Sequence, residues 1–316
     1  MKDINRIKGA LFGVAVGDAL GAPAEFMSAE EIKREHGTIR DMIGGGWLNV
    51  KPGEVTDDTQ MTLAVAKGIC ENPDSPIEAI GRHFVHWAQS GPKDIGNTCH
   101  ASILTATRLA NDTQSPSARN WFDASLATHN AFGGQSAGNG SLMRTVYVGL
   151  YYNDQTTVSD MAEAISRMTH HDASAAAACA AYSLMVYKLI RSEETPRECR
   201  WQGQAIIRKV ADRFTHLEAR YGYDRLVNAS YNPFPSGYVV DSFTAALHCV
   251  YTTRSFKDSV EKAVNLGGDA DTIAAITGGL AGAIYGVDSI PASWLSALGA
   301  DIKNDLFKLA EQAANH

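Results

Sequence analysis

The sequence predicts an all-α protein, and three features support this fold class. Apolar residues recur at the spacing of one helix face through most of the chain, and alternating strand-like runs are scarce. Several apolar segments are also rich in alanine and glycine, which lets helix axes approach closely and pack without voids. We therefore expect a compact helical bundle.

The apolar periodicity places each candidate helix in turn. In chain order the predicted helices cover residues 4–19, 59–70, 76–89, 97–110, 159–168, 173–190, 202–219, 240–251, 256–266, 272–285 and 300–314. Two short runs, 145–151 and 238–240, are candidate strands. They are too few to build a sheet-based core.

The organisation of the chain predicts one domain over residues 1–316. A chain of 316 residues, 45% of them apolar, is long enough for one large domain or two ordinary ones. No Pro/Gly/Ser linker, low-complexity tract or repeat divides it. A monomer is expected, because no heptad or long exposed apolar face stands out.

Charge and cysteine content exclude some functions and favour a cytoplasmic protein. The net charge of −7 is spread along the chain without a long basic run, which argues against nucleic-acid binding. The cysteines form no CxxC pair, so reduced thiols buried as small hydrophobes are expected. They are Cys70, Cys99, Cys179, Cys199 and Cys249.

No membrane span or export signal is expected. The uncharged stretches 173–187 and 272–287 are shorter than the ~20 apolar residues that cross a bilayer, so they are interpreted as buried helices. Residues 9–17 faintly imitate the core of a signal peptide. That stretch is short, rich in glycine and followed at once by Asp18, so export is rejected.

Two acid-rich clusters each precede an apolar helix, more than 200 residues apart in the chain. The first contains Thr56, Asp57 and Asp58, and the second contains Asp269, Asp271 and Thr272. Helix capping is the ordinary role of such residues, but it uses one side-chain oxygen, whereas each cluster offers two carboxylates and a hydroxyl. Close like charges repel unless a cation neutralises them. Oxygen ligands suit Mg²⁺ or Mn²⁺, and four carboxylates can hold two such ions.

Four other features are candidate site residues with ordinary alternatives. Glu25 follows a Gly-Ala-Pro turn and could be a surface carboxylate, and Asp94 lies in a Pro/Gly turn where aspartate commonly caps a helix. Residues 133–144 contain four glycines, which suit either an anion-binding loop or a plain flexible one. His170 and His171 are predicted to lie in a helical stretch, where a structural histidine is the commoner case.

With these residues in view, the chain resembles the ADP-ribosylglycohydrolase family along its whole length. The resemblance depends on the motifs GVAVGDALGAPAEFM, MIGGGWLNVKPGEVTDDTQMTLA, DIGNTC, AGNGSLMR, the pair Thr169–His170, and NLGGDADTIAAITGGLAGAIYGVDSIP. It implies an orthogonal all-α bundle with a centre of two divalent cations, Mn²⁺ or Mg²⁺. One departure is that residues 171–173 read His-Asp-Ala, where the family has a proline shortly after the TH pair.

The resemblance also implies roles for individual residues. Metal binding falls on Thr56, Asp57, Asp58, Asp269, Asp271 and Thr272. Catalytic roles fall on Glu25, Asp94 and Asp58. Binding of the ADP-ribosyl group falls on Ser136, Gly138, Asn139, Gly140, Ser141 and His170.

The resemblance further implies an activity, which is removal of ADP-ribose from an arginine of a modified protein. The similarity favours the bacterial arginine-directed branch that acts on nitrogenase reductase, and a regulatory partner of the PII signalling type is known there. Three alternatives stay open. They are hydrolysis of another ADP-ribosyl linkage, to serine or a small molecule; metal-dependent cleavage of a nucleotide pyrophosphate; and a non-catalytic binding or immunity protein that uses the cleft only for recognition.

Overall fold

The computed structural model describes residues 2–111, 115–195 and 230–316, and regular structure in these ranges is helical. The α-helices of these ranges are α1 (Ile4–Gly21), α2 (Ala29–His36), α3 (Asp57–Glu71), α4 (Ile77–Gln89), α5 (Asn97–Leu109), α6 (Ala118–Ala131), α7 (Val146–Tyr151), α8 (Gln155–Ser166), α9 (Ala173–Leu189), α10 (Val239–Thr252), α11 (Phe256–Val264), α12 (Ala270–Tyr285), α13 (Ala292–Ala297) and α14 (Ala300–Asn315). The predicted all-α class is confirmed. The predicted helix at 202–219 lies outside the described residues.

Local predictions differ from the structure at both candidate strands. Residues 145–151 form the short helix α7, which is buried on all sides, so its apolar residues need no alternation. At 238–240, Tyr238 makes an isolated bridge with Gly138 and α10 begins at the next residue. Both strand assignments are therefore wrong, and the described chain contains isolated β-bridges in place of strands.

Besides α7, three helices were not among those predicted from apolar periodicity. They are α2, α6 and α13. α2 begins with a capping box between Ser28 and Glu31, and α6 begins with one between Ser117 and Asn120. A Ser-x-x-Glu signature precedes α2 in the sequence, so capping residues could have identified that helix where periodicity could not.

Helices α1 and α12 are the central pair of the bundle. They run antiparallel, and small residues meet at every fourth position, so that the backbones are almost in contact. A Cβ atom added at Gly13 would lie 2.1 Å from the carbonyl oxygen of Gly278, and one at Gly17 would lie 2.0 Å from that of Ala274. The same contact continues to Gly21, which packs against Asp271. The end of α1 is thereby fixed beside the beginning of α12.

Substitution of Gly13 by alanine is expected to destabilise the protein. In an ordinary helix this change adds up to about 1 kcal/mol of stability, but here the methyl group would force the two helices apart at a cost of about 1–3 kcal/mol. Urea unfolding would measure it. Gly299→Ala is the matched control, because its added Cβ meets nothing closer than 4.0 Å. A Gly13→Ala protein as stable as the parent would contradict the close packing.

One described helical stretch, Ile4–Ala24, is long and apolar enough to cross a membrane by length and composition. It lies near the N-terminus, and 94% of its apolar window is buried inside the protein, as in a core helix. The stretch is therefore weak evidence for a span. The apolar stretches at 173–187 and 272–287 form α9 and the greater part of α12 with the turn after it, and both helices are largely buried.

Candidate metal centre

Backbone pairing brings the loop after α1 to the loop before α12. The amide of Phe26 donates to the carbonyl of Gly268 at 2.7 Å, and the amide of Gly268 donates to the carbonyl of Met27 at 2.7 Å. Gly268 has φ of +65°, a conformation that a side chain would disfavour. This pairing sets Glu25 beside Asp269.

Asp18, inside α1, fixes the beginning of α3. Its fully buried carboxylate accepts hydrogen bonds from the amide of Thr56 at 3.0 Å, the Thr56 hydroxyl at 2.8 Å and the amide of Thr59 at 3.1 Å, and also from the Thr59 hydroxyl. Burial raises the pKa of Asp18 to about 6. Because Asp18 satisfies these donors from another helix, Asp57 and Asp58 are not needed to cap their own.

The two acid-rich clusters meet in space. Oδ2 of Asp58 accepts from the hydroxyl of Thr272 at 3.3 Å and lies 3.5 Å from the hydroxyl of Thr56. The N-cap residues Thr56 and Asp269 make no capping hydrogen bond with their side chains. Asp271 accepts the amide of Thr272 at 2.8 Å. Capping therefore does not account for most of these oxygens.

Glu25 joins the second cluster. One carboxylate oxygen from each of Glu25, Asp269 and Asp271 lies within 4.8 Å of the others, an arrangement that could hold a metal ion. We refer to these three residues with Asp57, Asp58, Thr56 and Thr272 as the acidic centre. It combines residues from both ends of the sequence.

The electrostatics of the acidic centre suit a divalent cation. Burial raises the pKa of Asp57, Asp58 and Asp271 well above the ordinary carboxylate range, and the neighbouring carboxylates add to this effect. Oδ1 of Asp58 is buried and has no hydrogen-bond partner in the part of the chain that the structure describes. A hard cation would neutralise the repulsion and satisfy this oxygen, and the donor set consists of carboxylate and hydroxyl oxygens. The residues present fit the metal centre that the sequence predicts, while the individual ligand roles stay predictions.

A cavity of about 430 Å³ opens beside the acidic centre, which is the size range of small-molecule sites. Among the predicted site residues, those that line it are Glu25, Asp57, Asp94, Gly138, Asn139, Gly140, His170, Asp269, Asp271 and Thr272. Thr56 and Asp58 are buried and do not line the cavity.

The glycine-rich loop forms one wall of this cavity through Asn139. The side-chain amide of Asn139 donates to Oδ2 of Asp269 and to Oγ of Ser242, each at 2.9 Å. Ser136 and Ser141 do not line the cavity. Ser136 is hydrogen bonded to His129 at 2.7 Å, and Ser141 accepts from Ser166 at 2.9 Å. These contacts suit support of the loop.

His170 lies in the connection between α8 and α9, so the predicted helical placement of His170 and His171 is wrong. Both histidines precede Asp172, which caps α9 by accepting the amide of Ser174 at 2.7 Å. His170 is buried and lines the cavity beside Gly138 and Gly140. Asp172 was the sequence signal for this loop. An N-cap residue marks the start of a new helix, so a helix that contains His170 and His171 cannot continue past it.

Glu25 and Asp94 are the two carboxylates of the cavity that the sequence assigned to catalysis. Nε1 of Trp47 donates to Oε2 of Glu25 at 2.6 Å. Burial, together with the charges of Asp269 and Asp94, raises the pKa of Glu25 to about 7. Burial also raises the pKa of Asp94. Either carboxylate can therefore accept a proton near neutral pH more readily than an exposed one.

Sequence reasoning missed several residues that organise the site. Asp18, Trp47 and Ser242 hold proposed site residues directly, and Arg144 and Thr169 support His170. Asp18 gave a signal, because a carboxylate within an apolar helix must find partners when buried. The sequence contains no comparable signal for Ser242, because a serine in a helix has many ordinary roles.

Comparison with known proteins agrees with this geometry. The family model described as ADP-ribosylglycohydrolase matches residues 1–316. The chain is 35% identical to the ADP-ribosyl-[dinitrogen reductase] glycohydrolase of Rhodospirillum rubrum, covering 96% of this chain and 93% of the relative. It is 30% identical to the ADP-ribosylarginine hydrolase Tri1 of Serratia proteamaculans (strain 568), covering 94% of this chain and 76% of the relative. A solved structure named ADP-ribosylglycohydrolase-related protein complex superimposes with a TM-score of 0.75 at 26% identity, covering 98% of each chain.

Proposed function

The chain belongs to the ADP-ribosylglycohydrolase family, and from that premise we propose that it removes ADP-ribose from an arginine side chain of a modified protein, using two divalent cations. Hydrolysis of ADP-ribosyl linkages follows from the family. The arginine linkage is supported by two relatives, one named for dinitrogen reductase and the other for ADP-ribosylarginine. The observation that carries the metal dependence is the acidic centre, in which Thr272 donates to Asp58 across the two clusters.

The acidic centre would hold the cations through carboxylate and hydroxyl oxygens. Glu25, Asp57, Asp269, Asp271 and Thr272 face the cavity, whereas Thr56 and Asp58 are buried behind them. Bound there, divalent cations would orient the ribose hydroxyls and polarise the attacking water. Mn²⁺ and Mg²⁺ both suit this donor set.

The carboxylates of the cavity would handle the proton of the attacking water. As the bond between the anomeric carbon and the guanidinium nitrogen breaks, the electron pair stays on nitrogen and the water oxygen bonds to carbon. The water's proton passes to Glu25 or Asp94, as carboxylates do in glycoside hydrolysis. The arginine then leaves as a neutral guanidine that takes up a proton to become a stable cation, so a strong general acid is not required.

Trp47 holds Glu25 in place for this step, and its removal gives a testable effect. Trp47→Phe keeps an aromatic ring next to Phe26 but removes the indole donor to Glu25. Hydrogen bonds to charged groups contribute about 1.5–3 kcal/mol, so we expect kcat to fall by about 10-fold or more. Steady-state hydrolysis of an arginine-linked substrate would measure it.

Trp87→Phe is the matched control for that variant. It removes an indole donor of similar length, 2.7 Å to Gln60, at a residue that does not line the cavity. We expect its kcat to match the parent. Equal kcat values for Trp47→Phe and the parent would show that the indole does not position Glu25.

Incubation with ADP-ribosyl peptides tests the proposed activity directly. Arginine-, serine- and cysteine-linked peptides would each be treated with and without Mn²⁺. We expect free ADP-ribose from the arginine-linked peptide, dependent on the metal. Release of AMP would support pyrophosphate cleavage, preference for serine would support the other linkage, and an absence of any product would support a non-catalytic binding protein.

The proposed partners follow from the same relatives. An ADP-ribosylated protein similar to dinitrogen reductase is the proposed substrate, because the Rhodospirillum rubrum relative is named for that protein. A PII-type regulator, a monomeric state and a cytoplasmic location complete the proposal. Pull-down from an extract of nitrogen-fixing cells, followed by mass spectrometry, would test both protein partners.

A further inference from the structure

Arg144 ends the AGNGSLMR motif, and its guanidinium is fully buried. Among the residues that the structure describes, no carboxylate pairs with it. It donates instead to the hydroxyl of Thr169 at 2.7 Å and to the carbonyl of Ile165 at 3.2 Å, and it lies 4.5 Å from the centre of the Phe84 ring. A buried charge without a counter-ion is costly, and none of the functions described above uses it.

The contact with Thr169 determines the direction of a second hydrogen bond. Arginine has only donors, so the Thr169 oxygen accepts from Arg144 and keeps one hydrogen to donate. That oxygen lies 2.8 Å from Nδ1 of His170. Among the described residues, the sulfur of Cys99 is also hydrogen bonded to this hydroxyl, but sulfur is a weak acceptor. The hydroxyl therefore donates to Nδ1, and the ring proton is left on Nε2.

The proton on Nε2 of His170 can be donated in a hydrogen bond to a ligand in the cavity. Within the described ranges, the residues that line it include no lysine or arginine, whereas Glu25, Asp57, Asp94, Asp269 and Asp271 all line it. A diphosphate group entering this cavity therefore needs neutral donors. Nε2 of His170 lies beside the glycine-rich loop that lines the cavity, since a Cβ atom added at Gly138 would approach it to 3.3 Å.

We propose that Arg144 acts through Thr169 as a positioning residue that holds His170 in the Nε2–H tautomer, so that the ring donates to a phosphate oxygen of the ligand. The ligand part of this inference rests on the proposed function, but the tautomer does not. Burial, together with the charge of Arg144, lowers the pKa of His170 to about 3. A neutral ring has a single N–H, so its position decides whether Nε2 attracts or repels an anion.

Nitrogen-15 NMR of the ligand-free protein tests the tautomer. Long-range proton–nitrogen spectra distinguish a protonated ring nitrogen from a bare one, and subtraction of the His170→Gln spectrum assigns the signals. We expect Nε2 of His170 to carry the proton in the parent and in Thr169→Ser, which keeps the hydroxyl. Thr169→Val should lose this preference.

Binding of free ADP-ribose, measured by calorimetry, tests the role of the tautomer. Loss of one hydrogen bond to a charged group predicts a Kd about 10-fold or more weaker for Thr169→Val, with Thr169→Ser close to the parent. A parent with the proton on Nδ1, or a Thr169→Val protein that binds as tightly as the parent, would overturn the proposal. Failure of the parent itself to bind ADP-ribose would instead refute the proposed function, because the tautomer is measured without ligand.

Discussion

Replacement of Asp58 by asparagine is expected to abolish hydrolysis of ADP-ribosyl-arginine while the protein stays folded. Asp58 belongs to the acidic centre and is the residue through which the two clusters touch. Asparagine keeps its shape but removes the charge that a divalent cation requires. We expect kcat/KM to fall by about 10³-fold or more, equivalent to about 4 kcal/mol of transition-state stabilisation.

The thermal stability of Asp58→Asn, unlike its activity, is not expected to fall. A carboxylate whose pKa is raised by folding opposes folding above the ordinary carboxylate range, because the unfolded chain releases the proton more easily. Burial raises the pKa of Asp58 in this way. In chelator at neutral pH, Asp58→Asn should therefore melt no lower than the parent. Circular dichroism during heating would measure both proteins.

Asp301→Asn is the matched control for the activity assay. Asp301 also lies in the first turn of a helix, α14, but it is exposed and does not line the cavity. We expect this variant to retain the activity of the parent. Turnover near the parent value in Asp58→Asn, with Mn²⁺ present, would refute the assignment of Asp58 to the metal centre.

Addition of Mn²⁺ to chelator-treated protein is expected to produce the second large effect, an increase in Tm. A ligand that binds only the folded state stabilises it by about 2.7 kcal/mol at a concentration of 100 times Kd. For a chain of this size that corresponds to roughly 5 °C. Removal of the metal by a chelator should reverse the shift.

The same titration on Asp58→Asn separates specific binding from a general ionic effect. The variant should show little or no shift with Mn²⁺, whereas Asp301→Asn should shift as the parent does. An equal shift in all three proteins would mean that the cation binds elsewhere, and no shift in the parent would contradict metal binding altogether.

Convergence of the acid clusters could be predicted from sequence because each cluster shows more oxygen ligands than a helix cap uses. Asp57 and Asp271 therefore required a partner group, and the cluster at the opposite end of the chain could supply it. The family motifs added the expectation of a shared centre. The structure supplies the physical reason, which is the contact of α1 and α12 through small residues that sets these helix ends together.

Other parts of the site could not be predicted in this way. The hydrogen bond from Trp47 to Glu25 depends on the path of the loop that contains Trp47, and no local sequence pattern predicts that path. The helices predicted from apolar spacing, 159–168 and 173–190, left His170 between them, and the assignment of the histidine pair to a helical stretch overlooked the Asp172 cap. The buried charge of Arg144 was invisible because arginine is ordinarily a surface residue.

The central claim is that ligands from both ends of the chain share the same divalent cations. Crystals grown with Mn²⁺ and measured at the manganese absorption edge would locate the ions directly. We predict two anomalous peaks, together contacted by Asp57 or Asp58 and by Asp269 or Asp271. Peaks contacted by only one cluster, or no peak at the acidic centre in protein that is active with Mn²⁺, would contradict the claim.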